Sequence, residues 1–103
     1  MFSLFTKVKS ISTTELANQN LNQVVLLDVR SPNEFKSGHI RQAKNVPLSK
    51  IAQYEGNRNE LYVICQSGMR SKQAAKQLKK KGYDVTNIRG GMNQWSGKVI
   101  GGK

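Results

Sequence analysis

Leu61-Tyr62-Val63-Ile64-Cys65-Gln66-Ser67-Gly68-Met69-Arg70-Ser71 decides how this chain of 103 residues folds. Four apolar residues, two of them β-branched, read as a buried strand. The run then breaks at a short glycine-containing loop. From Ser71 to Lys81 the pattern changes period: Ala74, Ala75 and Leu78 share one helical face, and lysines and glutamines take the other. Gly82 is placed to end that helix. A buried strand feeding a helix through a short loop is half of a parallel-sheet crossover. The chain's only cysteine, Cys65, stands at the carboxyl end of the strand, where open α/β sheets place their reactive sites.

The same alternation extends in both directions. Upstream, Lys9-Ser10-Ile11 reads as an edge strand, and Ser12 or Thr13 caps a helix reaching about Asn20, with Glu15 in its first turn. Val24 to Leu27 reads as a second buried strand, ending at Asp28-Val29-Arg30. Ser31-Pro32-Asn33-Glu34 combines a cap residue, a proline at the first helical position and a capping-box glutamate, and Gly38 stops that helix early. Ala43 to Val46 predicts a brief strand and Leu48 to Tyr54 a turn of helix; Glu55 to Asn59 is loop. Downstream, Tyr83 to Ile88 predicts another strand. Gly90-Gly91 opens a last short helix containing Met92 and Trp95, with Trp95 assigned to the core. The expected fold is a three-layer α/β domain on a mostly parallel sheet. Residues 1–103 form one domain, with its core at about 9–96 and a frayed tail over 97–103.

Composition narrows the functional classes. No stretch is long and apolar enough to span a bilayer. Met1 to Ser10 lacks the continuous apolar segment of a secretory leader. One cysteine and one histidine exclude a disulfide framework and argue against a structural zinc site, so no metal and no cofactor is expected. A lone thiol suits a reducing compartment, which predicts a cytoplasmic protein. The net charge of +11 attracts anions, whether small substrates or nucleic acid. The cluster Lys79-Lys80-Lys81 needs no ligand, because cations at a helix C-terminus complement the macrodipole. Gly91 to Lys98 superficially suggests a phosphate loop, but Val99 stands where Ser or Thr is required.

The loop from Cys65 to Arg70 carries the chemistry. Gly68 lets the backbone turn where a side chain would clash. The N–H groups of about residues 66 to 70 then converge as a cradle that stabilises a thiolate and an anion above it. Gln66, Ser67, Gly68 and Met69 separate Cys65 from Arg70. Arg70 offers a planar fork to an oxyanion, and Ser67 and Ser71 supply hydroxyls. Such a pocket activates sulfur without a separate base, and both sulfur transfer and phosphoryl transfer fit it. His39, the only histidine, invites a Cys–His dyad. Glu34 is accounted for by capping.

In this order and spacing, Leu27-Asp28-Val29-Arg30, Glu34-Phe35, Gly38-His39-Ile40, Ala43 to Pro47, the Cys65–Ser71 loop and Gly90-Gly91 with Trp95 resemble a single-domain rhodanese. The resemblance covers about Ile11 to Trp95. It implies a three-layer α/β/α domain with a five-stranded sheet, and a cysteine that takes up sulfane sulfur as a persulfide and passes it on. On this resemblance Cys65 is catalytic and Gln66, Ser67, Gly68, Met69, Arg70 and Ser71 form the substrate loop. Arg70 orients an anionic donor; Asp28, Arg30 and His39 give structural support. Phosphatases and arsenate reductases of the same fold use a loop one residue longer, C-x5-R, which leaves room for a tetrahedral oxyanion. The shorter loop here favours a single terminal sulfur. The implied partners are thiosulfate or another persulfide donor and a thiol acceptor, including a protein thiol. Nucleic acid is not required, no membrane is involved, and a monomer is expected. The competing readings are a cysteine phosphatase or arsenate reductase, and a non-enzymatic module binding a partner or RNA.

Overall fold

In the computed structural model, which describes residues 7–102, strand β4 (Glu60–Ile64) lies at the middle of the sheet. Its side chains alternate between the two faces, as the pleat requires. Leu61 and Val63 join one core cluster with Leu27, Ala74, Ala75 and Leu78. Tyr62 and Ile64 join a second with Leu16, Leu26 and Ile88. A strand apolar on both faces is stable only when both are covered. Each buried aliphatic side chain here contributes about 1.5–3 kcal/mol relative to exposure.

Five strands pair in parallel in the order β1-β5-β4-β2-β3: β1 is Lys9–Ile11, β2 Leu26–Asp28, β3 Ala43–Asn45 and β5 Asp84–Ile88. The sheet is therefore wholly parallel. Helix α3 (Met69–Lys80) and a 3₁₀ turn (Leu48–Gln53) cover one face; α1 (Thr13–Ala17) and α4 (Gly91–Gln94) lie toward the other. Helix α2 (Pro32–Ser37) joins β2 to β3. From β2 the chain leaves toward β3, and from β4 it leaves toward β5 on the opposite side. The crevice outside the carboxyl ends of these two adjacent strands is the sheet's topological switch point. Cys65 follows β4 there, and Arg30 stands two residues beyond the end of β2.

Local chemistry sets the element ends. Ser12 and Ser31 each close a full capping box, with Glu15 and Glu34 respectively. At the other end of α3 the Gly82 N–H reaches Lys79 O and the Tyr83 N–H reaches Leu78 O, the paired bonds of a Schellman stop. Several boundaries differ from expectation. α1 ends at Ala17 rather than near Asn20: Asn18 is its C-cap, and Asn20 Oδ1 accepts the Asn22 N–H at 3.1 Å, a local bond that competes with helix. α3 begins at Met69, two residues before Ser71, because Gly68 is its left-handed N-cap. Val24 and Val25 lie outside β2, although Val25 O accepts the Tyr62 N–H at 2.9 Å. Trp95 is half-buried at the end of α4, packed against the second cluster rather than enclosed in it.

The C-terminal segment, expected to fray from Gly97 onward, is tied down through an antiparallel bridge between Ile100 and His39, with both N–H···O bonds at 2.8 Å. The Gly102 N–H also reaches Lys36 O at 2.8 Å. Residues 1–6 of the supposed leaderless N-terminus, and Lys103 of the tail, lie outside the described residues. Among the described residues no helix is long and apolar enough to cross a membrane.

Candidate active site

The loop after β4 wraps its own sulfur. The Gly68 N–H donates to Cys65 Sγ at 3.0 Å, with Gly68 at φ +103°, a conformation that suits glycine. Burial alone pushes the Cys65 thiol up. Hydrogen bonding from the Ser71 hydroxyl and from the backbone N–H groups of Ser71, Gly68 and Ser67 outweighs it and holds the thiol below its ordinary value. Cys65 has no exposed surface, while Ser67 and Met69 stand exposed at the rim of the loop.

Helix α4 fixes the loop from outside. The Met92 N–H donates to Cys65 O at 2.8 Å and the Asn93 N–H to Gln66 O at 2.9 Å. Gly91 makes this approach feasible: at φ +56°, a Cβ there would lie 2.3 Å from Cys65 O and 2.7 Å from Gln66 O. The Gln66 side chain donates to Asn93 Oδ1 at 2.7 Å and accepts from Arg30 Nη1 at 3.1 Å.

Arg30 and Asp28 form a buried bidentate pair, with Nε to Oδ1 at 3.0 Å and Nη2 to Oδ2 at 2.8 Å. The same guanidinium donates to Gly38 O at 2.8 Å. Arg30 thus links the end of β2, the end of α2 and the loop residue Gln66. His39 is buried beneath α2, stacked on Phe35 at 3.6 Å between ring centroids. Its Nδ1 lies 2.6 Å from Phe35 O, so Nδ1 carries the proton. No hydrogen bond joins His39 to Cys65, and the two are not brought together as a dyad.

Arg70 is engaged differently from the donor-facing fork inferred from the sequence. Its Nη1 and Nη2 donate to Glu34 Oε1 and Oε2 at 2.7 and 2.9 Å. The hydrogen bonds from Arg70 hold the Glu34 carboxyl at about 2, well below its usual range, and raise the guanidinium in turn. Glu34 therefore both caps α2, accepting the Ser31 N–H at 2.9 Å, and neutralises the loop's arginine. Sequence reasoning credited it with the first role alone. It also missed Asn87, whose side-chain amide meets the Ser71 hydroxyl at 2.5 Å, and Asn93. Both sit 16 or more residues from their partners, at separations no local pattern reveals.

Residues 12–98 match the model of the rhodanese-like domain. The chain is 34% identical over 98 residues to a Bacillus subtilis protein named "Putative sulfurtransferase YtwF", covering 90% of this chain and 95% of that one. A crystal structure of a rhodanese-like domain protein from Staphylococcus aureus superposes with a TM-score of 0.83 at 33% identity, over 93% of this chain and 100% of that one. The human single-domain sulfurtransferase TSTD1 gives 0.75 at 27% identity, over 86% and 96%.

Proposed function

The chain belongs to the rhodanese-like domain family, and on that premise we propose that it is a sulfurtransferase carrying one sulfane sulfur on Cys65. One observation above all supports this reading. A four-residue loop opening α3 turns an N–H onto Sγ at 3.0 Å and lowers the thiol, so a nucleophilic thiolate forms without a neighbouring base.

The reaction is a two-step transfer. The Cys65 thiolate attacks the outer sulfur of a donor such as thiosulfate; the S–S bond of the donor breaks and sulfite leaves with the electron pair. The product, Cys65–S–S⁻, keeps its charge on the terminal sulfur, which the loop amides stabilise as they do the thiolate. An acceptor thiolate, or cyanide in an assay, then takes that sulfur and returns the Cys65 thiolate. No cofactor, metal or nucleic acid enters this balance. Because Cys65 is covered, a donor reaches it by displacing the rim, where the exposed Met69 side chain is free to yield. Arg70, already paired with Glu34, stiffens the loop and offers the donor little unopposed charge. We read the protein as a cytoplasmic monomer whose lone thiol stays reduced.

The test is thiocyanate release from thiosulfate or an organic persulfide plus cyanide. Turnover that disappears in Cys65→Ser, with no hydrolysis of aryl phosphates and no reduction of arsenate, supports the reading. Phosphate hydrolysis without sulfur transfer refutes it.

A further inference from the structure

A cleft of about 290 Å³ runs along the outer side of the Cys65 loop. Ser67 and Met69 line it together with Lys72 on α3, Arg89 after β5 and Ser10 on β1. Its charge is distinct from that of the loop arginine. Arg70 is neutralised by Glu34, whereas the Lys72 side chain has no ion pair or hydrogen bond to another described residue. Arg89 is held only loosely, by Ser10 Oγ at 3.2 Å and by Glu15 at 3.9 Å, with both side chains of that pair more than half exposed.

Asn87 is 94% buried and also lines the cleft, with its side-chain amide anchored to the Ser71 hydroxyl. Two cations and a fixed polar amide thus line one cleft beside the loop that holds the reactive sulfur, in a space large enough for the body of a small thiol.

We infer that this cleft is a subsite for the anionic tail of the sulfur donor: a low-molecular-weight persulfide whose carboxylate or phosphate pairs with Lys72 and Arg89. The inference rests on the sulfurtransferase reading and narrows its substrate class. With the tail in the cleft, the persulfide reaches the rim at Ser67 and Met69. The step balances as Cys65–S⁻ plus R–S–SH giving Cys65–S–S⁻ plus R–SH. A new S–S bond forms between Cys65 and the outer sulfur, the donor's own S–S bond breaks with its electron pair going to the inner sulfur, and the proton goes to the leaving R–S⁻ thiolate. A compact dianion such as thiosulfate has no tail to place there, so it gains less from the subsite.

Two measurements test this. In the first, ¹⁵N-labelled protein is titrated with S-methylglutathione, an unreactive thiol analogue, and with its diethyl ester. The subsite predicts saturable shifts at Lys72, Arg89 and the Asn87 side-chain amide with the free acid, weakened about tenfold by esterification. In the second, Cys65 persulfidation is timed with glutathione persulfide, its diethyl ester and coenzyme A persulfide. Lys72→Ala/Arg89→Ala is expected to shrink the preference of the wild type for charged over esterified donor by about tenfold. A stronger preference for the coenzyme A donor assigns the tail to phosphate, and one for glutathione assigns it to carboxylate. Equal shifts from acid and ester, or a preference unchanged in the double variant, overturns the subsite. A wild type that accepts sulfur from thiosulfate but from none of these persulfides overturns the subsite as a donor site; one that accepts sulfur from neither refutes the transferase reading instead, while the titration still decides whether the cleft binds anions.

Discussion

Gly91→Ala tests how the active loop is held. At φ +56° an alanine costs about 1–2 kcal/mol in backbone strain alone. Its Cβ would also meet Cys65 O at 2.3 Å and the Gln66 carbonyl oxygen at 2.7 Å. Both are backbone atoms, so no side chain can rotate away. The loop must shift and weaken the bonds from Met92 and Asn93, at an overpacking cost of about 1–3 kcal/mol. The total, about 2–5 kcal/mol, is a large share of the about 5–15 kcal/mol that holds such a domain together. Gly82→Ala is the matched control. Gly82 also has positive φ, +104°, but nothing lies within 4 Å of its Cβ position, so strain alone applies at about 1–2 kcal/mol. Urea unfolding of both variants, with the iodoacetamide reactivity of Cys65, separates the two terms. Gly91→Ala is expected to be the less stable by about 1–3 kcal/mol and to have a slower-reacting thiol. Equal stabilities with an unchanged thiol refute the claim that α4 clamps the loop through Gly91.

Other predictions concern charge and protons. The pH midpoint of Cys65 alkylation should fall below that of an ordinary thiol, and Ser71→Ala should move it upward, since that hydroxyl is the largest group opposing the cost of burial; an unmoved midpoint contradicts the hydrogen-bond account. Arg30→Met strands the buried Asp28 carboxylate and should cost about 3–5 kcal/mol by thermal or urea melts, and Asp28→Leu added to it should recover part of that loss. Glu34 is depressed from 4.5 to about 2, so its contribution to stability is complete above pH 4.5 and lost as pH falls toward 2. With both side chains of its pair more than a third exposed, screening reduces this to about 1 kcal/mol, and Glu34→Gln should flatten acid unfolding over that window.

Features coded within a few residues were legible in the sequence. The Ser31-Pro32-Asn33-Glu34 box, the Gly82 stop and the doubly apolar Leu61–Ile64 strand all depend on neighbours that the sequence displays side by side. The Cys65 loop was legible for the same reason, since its cradle is built from consecutive amides. The strand order β1-β5-β4-β2-β3 is a choice among crossovers, and strand composition does not encode it. The Arg70–Glu34 pair spans 36 positions, and each residue already had a local explanation. Asn87 looked like an ordinary strand residue; its contact with Ser71 exists because β5 pairs with β4 and brings it under the start of α3. The Ile100–His39 bridge was hidden because 97–103 is rich in glycine and lacks any periodic pattern.

The most direct measurement is the intact mass of reduced protein after exposure to thiosulfate or a small persulfide. The account predicts one added sulfur atom, mapped by peptide analysis to Cys65, absent in Cys65→Ser, and discharged by cyanide as thiocyanate. A chain that stays at its unmodified mass with every donor, although Cys65 is reduced and the domain folded, contradicts it.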